Sequence, residues 1–189
     1  MPRGVGLSRE RVVEAAAALV DAHGPAALTL ARLADALGVR SPSLFNHVQS
    51  LDDLRDAVAA SAWPDLEASL ADTTSLPALA HAWRAFGLRR PGVWALAAKA
   101  RPGDPVADAV TARLLTAVAH HTGPGEPAVH AARALRALVH GFVQLESDGG
   151  FALPVDLDAS FDHAVNALVR GLLAASPVTA PLSSDVTER

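Results

Sequence analysis

The segment GVRSPSLFNHVQS, residues 38–50, gathers several kinds of hydrogen-bonding side chain within about two turns of possible helix. If it forms a short helix, its outward side carries hydroxyl, amide and imidazole groups and no charge. Such a side is suited to hydrogen bonding with a polar partner rather than to charge neutralisation. The residues expected on it are Ser41, Pro42, Ser43, Asn46, His47 and Gln49.

Patterns typical of catalysis or metal binding are absent from the sequence. The chain has no cysteine, so neither a thiolate metal site nor a disulfide framework can form. His120 and His121 are adjacent and point to different sides of a helix, unlike residues four apart. There is no glycine-rich phosphate loop, Gly-x-Ser-x-Gly elbow or His-Glu-x-x-His motif. We therefore expect no enzymatic activity, no metal and no cofactor.

The composition predicts an all-α protein. Half of the 189 residues are hydrophobic, and the apolar spacing is close to 3.6 almost throughout. No signal peptide or membrane span is recognisable, so we expect a cytoplasmic protein without a membrane partner. The net charge of −4 argues against general nucleic-acid binding, but residues 1–50 hold five arginines against four carboxylates. An anionic partner would therefore meet the N-terminal end.

The elements that would hold the polar segment are three short N-terminal helices. The first runs from about Ser8 to His23 and stops at HGP. Thr29 caps the second, and Gly38 ends it. In the third, Ser41 is the expected N-cap, Pro42 takes the first helical position, and Leu44, Phe45 and Val48 supply the apolar contacts.

A longer helix should follow the polar segment. Ser50 with Asp53 predicts its capping box, and the helix carries Leu54, Val58 and Ala62 before ending near Pro64. Two short helices joined by a glycine turn, the second offering small polar side chains, form the helix-turn-helix pattern. An ordinary three-helix head without a ligand would show the same spacing.

Residues 8–58, with LTLARLADALGV and SPSLFNHVQSLDDL as their most specific parts, resemble the DNA-binding head of the TetR family of repressors. The resemblance implies an all-α homodimer with an N-terminal helix-turn-helix and an effector-binding body. It places Thr29 on a phosphate and Arg32 on the backbone or a base edge. Apart from the resemblance, further phosphate candidates are Arg3, Arg9 and Arg40, together with the free N–H groups at the starts of the second and fourth helices. The resemblance puts residues 41–47 in the major groove of double-stranded DNA, where asparagine can pair with adenine. The predicted DNA-binding residues are Thr29, Arg32, Arg40, Ser41, Pro42, Ser43, Phe45, Asn46 and His47.

Two positions depart from the family pattern. Phe45 stands where the family usually has a tyrosine whose hydroxyl binds phosphate, and Leu51 stands where many members have lysine. Both changes remove sequence-independent affinity rather than base readout. We expect weaker nonspecific binding and a shallower salt dependence than in a lysine-bearing relative.

Helices are predicted in the body at about 64–72, 76–88, 91–100, 104–122, 126–147 and 159–175. Two apolar rows on the last two helices are suited to a four-helix dimer interface. Glu146 breaks the row of the first of these helices, and Gly141 lies inside that helix, where it would let another helix approach closely. An intrachain core is equally compatible with this periodicity. The residues assigned to dimerisation are Val139, Gly141, Phe161, Val165, Leu168 and Leu172.

The stretch LRALVHGFVQLESDGGFALPVDLDASFDHAVNALVRGLL, residues 135–173, resembles the C-terminal body of a TetR subgroup marked by a Trp-His-Gly signature. His140 and Gly141 match the signature, whereas Arg136 occupies the place of the tryptophan. The resemblance implies dimerisation and an effector without naming the effector.

Aromatic and histidine residues of the body could line a cavity for a flat or apolar small molecule. For any single one of them a place in the core is favoured, but two or three of the set are expected to line a cavity. The ligand-binding set is Trp83, Phe86, Trp94, His120, His140 and Phe142.

The resulting prediction is a homodimeric, effector-responsive repressor that binds a palindromic operator and is released by a small apolar molecule. Its domains would be a DNA-binding head at 1–50, a ligand-binding and dimerisation body at 51–175, and a disordered tail at 176–189. The alternative is a dimeric small-molecule-binding module with weak or lost operator affinity. A helical enzyme ranks third.

Overall fold

A computed structural model describes residues 7–97 and 105–175, and all of its regular elements are helices. The expected all-α class is confirmed. The expected disordered tail at 176–189 lies outside the described residues. The α-helices are α1 (Arg9–His23), α2 (Leu30–Leu37), α3 (Ser41–Leu44), α4 (Leu51–Ala60), α5 (Ala62–Leu70), α6 (Leu76–Arg89), α7 (Pro91–Ala97), α8 (Pro105–Thr122), α9 (Glu126–Ser147) and α10 (Leu157–Ala175).

Side-chain caps set the starts of the N-terminal helices where the sequence predicts them. The hydroxyls of Ser8, Thr29 and Ser50 accept hydrogen bonds from backbone amides three residues later, at 3.3, 3.2 and 3.0 Å. Gly38 ends α2 in the left-handed conformation, φ +67°, which an L side chain rarely adopts. The glycine thereby defines the turn between α2 and α3.

The polar segment is less helical than expected. Only Ser41–Leu44 are helical, and residues 45–47 form a turn. Ser41 is not the cap: Arg40 holds the N-cap position without a side-chain hydrogen bond. The expectation that Phe45 packs inward is also wrong, since 54% of its surface is exposed, whereas Leu44 and Val48 are buried. Two apolar anchors are enough to hold so short an element.

The helix after the polar segment is divided in two. It ends at Ala60, and Ala62 already belongs to α5. The hydroxyl of Ser61 donates to the Val58 carbonyl at 2.7 Å, which gives that carbonyl a partner at the break. Proline is not the cause, because Pro64 lies inside the first turn of α5.

Helix α7 connects the N-terminal helices with the rest of the body. It packs against α1 and α4 on one side and against α5 and α6 on the other. Gly92 permits this approach: a Cβ built on it would lie 2.0 Å from the carbonyl oxygen of Val20 in α1. One continuous buried cluster runs from Val12 to Val165. The proposed division at residue 50 stays a prediction.

Three residues assigned to dimerisation lie in the core of the chain itself. Val139, Phe161 and Val165 are 0%, 0% and 1% exposed, so their side chains cannot meet a second copy. Their apolar row joins α9 and α10 to α6 and α8. Gly141 is exposed, with nothing within 4 Å of a Cβ built on it. Leu168 and Leu172 are half-buried at the edge of the core.

Candidate nucleic-acid interface and internal cavity

The polar segment forms a surface at one end of the molecule, which we call the reading surface (residues 41–47). Pro42, Phe45 and Asn46 are exposed, and Ser41, Ser43 and His47 are partly exposed. Thr29, Arg32 and Arg40 are exposed as well. The structure thus leaves all nine predicted DNA-binding residues accessible to solvent, with their hydroxyl, amide, imidazole and guanidinium groups available for polar contacts.

Arg9 holds the end of the reading surface in place. Its guanidinium donates to the His47 carbonyl at 2.7 Å and to both carboxylate oxygens of Asp53, at 3.2 and 2.8 Å. Asp53 also accepts a hydrogen bond from the backbone N–H of Gln49 at 2.8 Å. Arg9 and Asp53, which we call the clamp, therefore join α1 to the turn after α3 and to the first turn of α4. Sequence patterning does not reveal these contacts, because the partners of Arg9 lie 38 and 44 residues away.

These hydrogen bonds lower the pKa of Asp53 to about 2, and the Arg9 side chain is the largest cause. An acid with a depressed pKa stabilises the folded state above its unfolded pKa, and this contribution disappears as the pH falls. For Asp53 the loss lies between pH 3.8 and about pH 2.

We expect Asp53→Asn to remove part of the acid sensitivity of the fold. Between pH 5 and pH 2.5, the free energy of unfolding should fall by about 1 kcal/mol less than in the wild type, after allowance for solvent screening of a partly exposed pair. Chemical denaturation at both pH values measures the difference.

Asp52→Asn is the matched control, since Asp52 lies in the same helical turn but is exposed and pairs only with Arg55 nearby. An unchanged pH dependence in Asp53→Asn, or an equal change in Asp52→Asn, would contradict the role of the clamp.

A second carboxylate joins the N-terminal helices to the body. Asp21 of α1 accepts hydrogen bonds from the backbone amides of Gly92 and Val93 at 3.0 and 2.9 Å. These are free amides of the first turn of α7, so a side chain of α1 caps α7. Arg90 donates to the other oxygen of Asp21 at 2.6 Å and to Asp65 of α5 at 3.1 Å. A displacement of α7 therefore acts directly on α1.

The body contains a cavity of about 420 Å³ between α5, α6, α7, α8 and α9. All three tryptophans of the chain lie in its wall. Of these, Trp83 and Trp94 are predicted from the sequence, and Trp63 is not. Its volume is within the usual range for small-molecule sites. The wall carries four of the six predicted ligand-binding residues: Trp83, Phe86, Trp94 and His140.

His120 and Phe142 do not share this cavity, which corrects their predicted placement. His120 is exposed near the end of α8. Phe142 packs against Phe151 and Phe161, with ring centroids 4.7 and 5.0 Å apart. Helical rotation explains the difference, because Phe142 is two positions from His140 and therefore faces another side of α9.

The rings of the cavity are centred on Trp94. It stacks on His140, with centroids 4.6 Å apart, and meets Trp83 and Phe86 edge-on at 6.3 and 6.4 Å. Burial, together with the nearby charge of Arg136, lowers the pKa of His140 below its usual value. At neutral pH this imidazole is therefore uncharged and can both donate and accept one hydrogen bond.

An ion-pair cluster centred on the buried Arg84 was not predicted. Arg84 of α6 is 6% exposed. It donates twice to Glu146 of α9 at 2.8 Å and once to Asp158 of α10 at 2.6 Å. Its guanidinium also lies 5.3 and 5.0 Å from the ring centroids of Phe142 and Phe161. Hydrogen bonding to Glu146 raises the pKa of Arg84, which fixes the charged form that joins three helices.

Comparison with known proteins assigns both halves of the chain. Residues 12–58 match the family model "Bacterial regulatory proteins, tetR family", and residues 76–168 match "Tetracyclin repressor-like, C-terminal domain". The HTH-type transcriptional regulator Rv0681 of Mycobacterium tuberculosis is 34% identical over 183 residues, which cover 90% of this chain and 84% of that protein. The chain belongs to the TetR family. It is a helix-turn-helix transcriptional regulator of that family.

Other TetR-like proteins match this chain over most of its length. The HTH-type regulator YobS of Bacillus subtilis is 29% identical over 89% of this chain and 94% of its own length. A variant TetR of Acinetobacter baumannii, solved in complex with minocycline, superposes with a TM-score of 0.72 at 25% identity. That match covers 88% of this chain and 96% of the other. The predicted family and its helix-turn-helix head are thereby confirmed, whereas the Trp-His-Gly subgroup stays a prediction.

Within the part that is described, this TetR-family chain has no helix long and apolar enough to cross a bilayer. No cluster of three potential metal-binding side chains occurs among residues 7–97 and 105–175.

Proposed function

We propose that this protein is a homodimeric repressor that binds a palindromic operator in the cytoplasm and leaves it when a small aromatic molecule enters the cavity. The observation that carries the DNA half is the reading surface, a projecting turn of uncharged polar side chains braced by Arg9. The cavity supports a binding rather than a catalytic role, in line with the relatives, which are transcriptional regulators.

Base readout is assigned to the side chains of the reading surface. Asn46 suits adenine, whose major-groove edge offers one donor and one acceptor, and the hydroxyl of Ser43 can serve several bases. The exposed ring of Phe45 and the exposed Pro42 are suited to apolar contacts with thymine methyl groups or with the sugar edge. Arg32 and Arg40 supply charge for the phosphates, since Arg9 is occupied by Asp53.

We expect Ser43→Ala and His47→Ala each to weaken operator binding by about tenfold, because each removes one base contact worth roughly 1–3 kcal/mol. Affinity for unrelated DNA should stay unchanged, since that affinity depends on phosphate contacts. A gel-shift titration with DNA from upstream of the protein's own coding region, against a shuffled fragment, measures both affinities.

His23→Ala is the control, because His23 is exposed at the far end of α1. Equal losses on operator and shuffled DNA, or no loss on either, would contradict base readout by this surface.

Dimerisation is assigned to the exposed side of α9 next to α10. Ala134, Ala137 and Gly141 form a stripe of small, exposed residues there, and small residues allow two helices to approach closely. Leu168 and Leu172 border the stripe from α10, and Leu173 is 55% exposed. This face replaces the interface that the buried Val139, Phe161 and Val165 cannot form.

The release step is assigned to α7, which carries Trp94 at the cavity and accepts its N-terminal cap from Asp21. A molecule packed against Trp94 would favour one position of α7 over another. Because α7 also packs on α1 and α4, that preference changes the separation of the two heads in a dimer. Release requires the effector to bind the two positions with different affinity.

The second candidate is a small-molecule-binding module with weak operator affinity, and it is favoured by the chemistry of the reading surface. Phe45 has no hydroxyl for a phosphate, Leu51 has no charge, and Arg9 already has partners. Failure to bind any DNA fragment at low salt, together with retained ligand binding, would select this candidate.

A further inference from the structure

Two tryptophans of the cavity wall, Trp83 and Trp94, are 6% and 5% exposed. Their indole Nε1 atoms are buried and have no hydrogen-bond partner among residues 7–97 and 105–175. An indole N–H can only donate. A buried donor without an acceptor costs about 1–3 kcal/mol, so these positions favour a ligand that brings acceptor oxygens.

The charged residues of the wall lie on α8 and α9. Arg133 and Arg136, together with His140, are spaced at i, i+3 and i+7 and therefore share one side of α9. Both arginines are exposed, and neither has an ion-pair partner among the residues that the structure describes. Asp108 of α8 is the one acidic side chain among the described lining residues. The mouth is thus net positive, and the aromatic interior lies behind it.

We infer that the effector is a flat aromatic acid whose ring system carries a carbonyl or similar acceptor oxygen. Its rings pack against Trp94 and Phe86, its ring oxygen accepts from the indole N–H groups, and its carboxylate pairs with Arg136 and Arg133 at the mouth. This assignment rests on the proposed function and replaces the purely apolar effector expected from the sequence. The neutral His140 beside Trp94 adds no charge that would compete for the carboxylate.

Three matched probes separate the two features of this ligand. 9-Oxofluorene-2-carboxylate has both the ring carbonyl and the charge, fluorene-2-carboxylate lacks the carbonyl, and 9-oxofluorene-2-carboxamide lacks the charge. Isothermal titration calorimetry on the full chain gives their affinities. We expect the first probe to bind about tenfold more tightly than either of the others, because each loses one charge-assisted or buried hydrogen bond.

Variants identify which side chains read each feature. In Arg136→Gln, the carboxylate and carboxamide should bind within about threefold of each other, while the preference for the ring carbonyl persists. In the double variant Trp83→Phe, Trp94→Phe, the carbonyl preference should disappear while the charge preference persists. Arg89→Gln, which removes an exposed arginine from α6, should leave all three affinities unchanged. Because Arg136 is exposed, its variant keeps the test valid even if the double variant fails to fold.

Tighter or equal binding of the carboxamide, or of fluorene-2-carboxylate, would overturn this inference while leaving an effector cavity in place. If no probe binds and none releases a gel-shifted operator, both the inference and the effector half of the proposed function are wrong. Operator binding by the reading surface is measured separately and does not depend on either result.

Discussion

Replacing Gly92 by alanine should lower the free energy of unfolding by about 3 kcal/mol or more. The added Cβ would lie 2.0 Å from the carbonyl oxygen of Val20 and 2.6 Å from the amide nitrogen of Asp21. Both atoms belong to the backbone of α1, so no side-chain rotation relieves the overlap. The helix must move away, and Asp21 then loses the amides that it caps. Urea denaturation followed by far-ultraviolet circular dichroism measures the loss.

Gly171→Ala is the matched control for Gly92→Ala. Gly171 also lies within a helix, but nothing lies within 4 Å of a Cβ built on it. Alanine is preferred over glycine in a helix by up to about 1 kcal/mol, so this variant should be as stable as the wild type or slightly more so. A Gly92→Ala protein that is equally stable would show that α1 and α7 are not in close contact. The proposed route from the cavity to the head would then fail as well.

The second large effect is expected at Arg84. Arg84→Ala should destabilise the fold by about 3 kcal/mol, since it leaves the largely buried carboxylate of Glu146 without its partner. The variant also removes the cation that lies against Phe142 and Phe161. Thermal and chemical denaturation measure the loss. The Arg84→Ala, Glu146→Leu double variant should recover part of it, because no unpaired charge remains buried.

Arg89→Ala is the control on the same helix. Arg89 is exposed and its guanidinium reaches only the Ser69 hydroxyl, at 3.3 Å, so its loss should change stability by less than about 0.5 kcal/mol. Equal effects at Arg84 and Arg89, or no recovery in the double variant, would show that the ion-pair cluster does not join α6 to α9 and α10.

Local signals account for the parts of the fold that the sequence predicted well. The bounds of α9, residues 126–147, agree with the prediction because a proline in its first turn and Gly149 just beyond its end mark both limits. Thr29 and Ser50 cap their helices as expected, because each hydroxyl bonds a backbone amide only three residues later. The break at Ser61 was missed, since it has neither glycine nor proline and depends on a hydroxyl bond to Val58.

Long-range contacts account for the parts that the sequence could not predict. Apolar periodicity identified the row of Val139, Phe161 and Val165, but the same spacing serves an intrachain core and a dimer interface equally well. Glu146 interrupts its row because it meets Arg84, 62 positions earlier. The reading surface could be located from its own residues, whereas its brace, Arg9 with Asp53, joins positions 44 apart.

In the proposed homodimer, two copies of the reading surface are held at the spacing of successive major grooves. Because the chain has no cysteine, Ser43→Cys provides a single site for a spin label on the partly exposed third residue of α3. Pulsed electron–electron double resonance on the ligand-free protein then measures the distance between the two labels. We expect about 35 to 50 Å, one to one and a half turns of B-DNA. The absence of any dipolar coupling, or a separation below about 25 Å, would contradict the account.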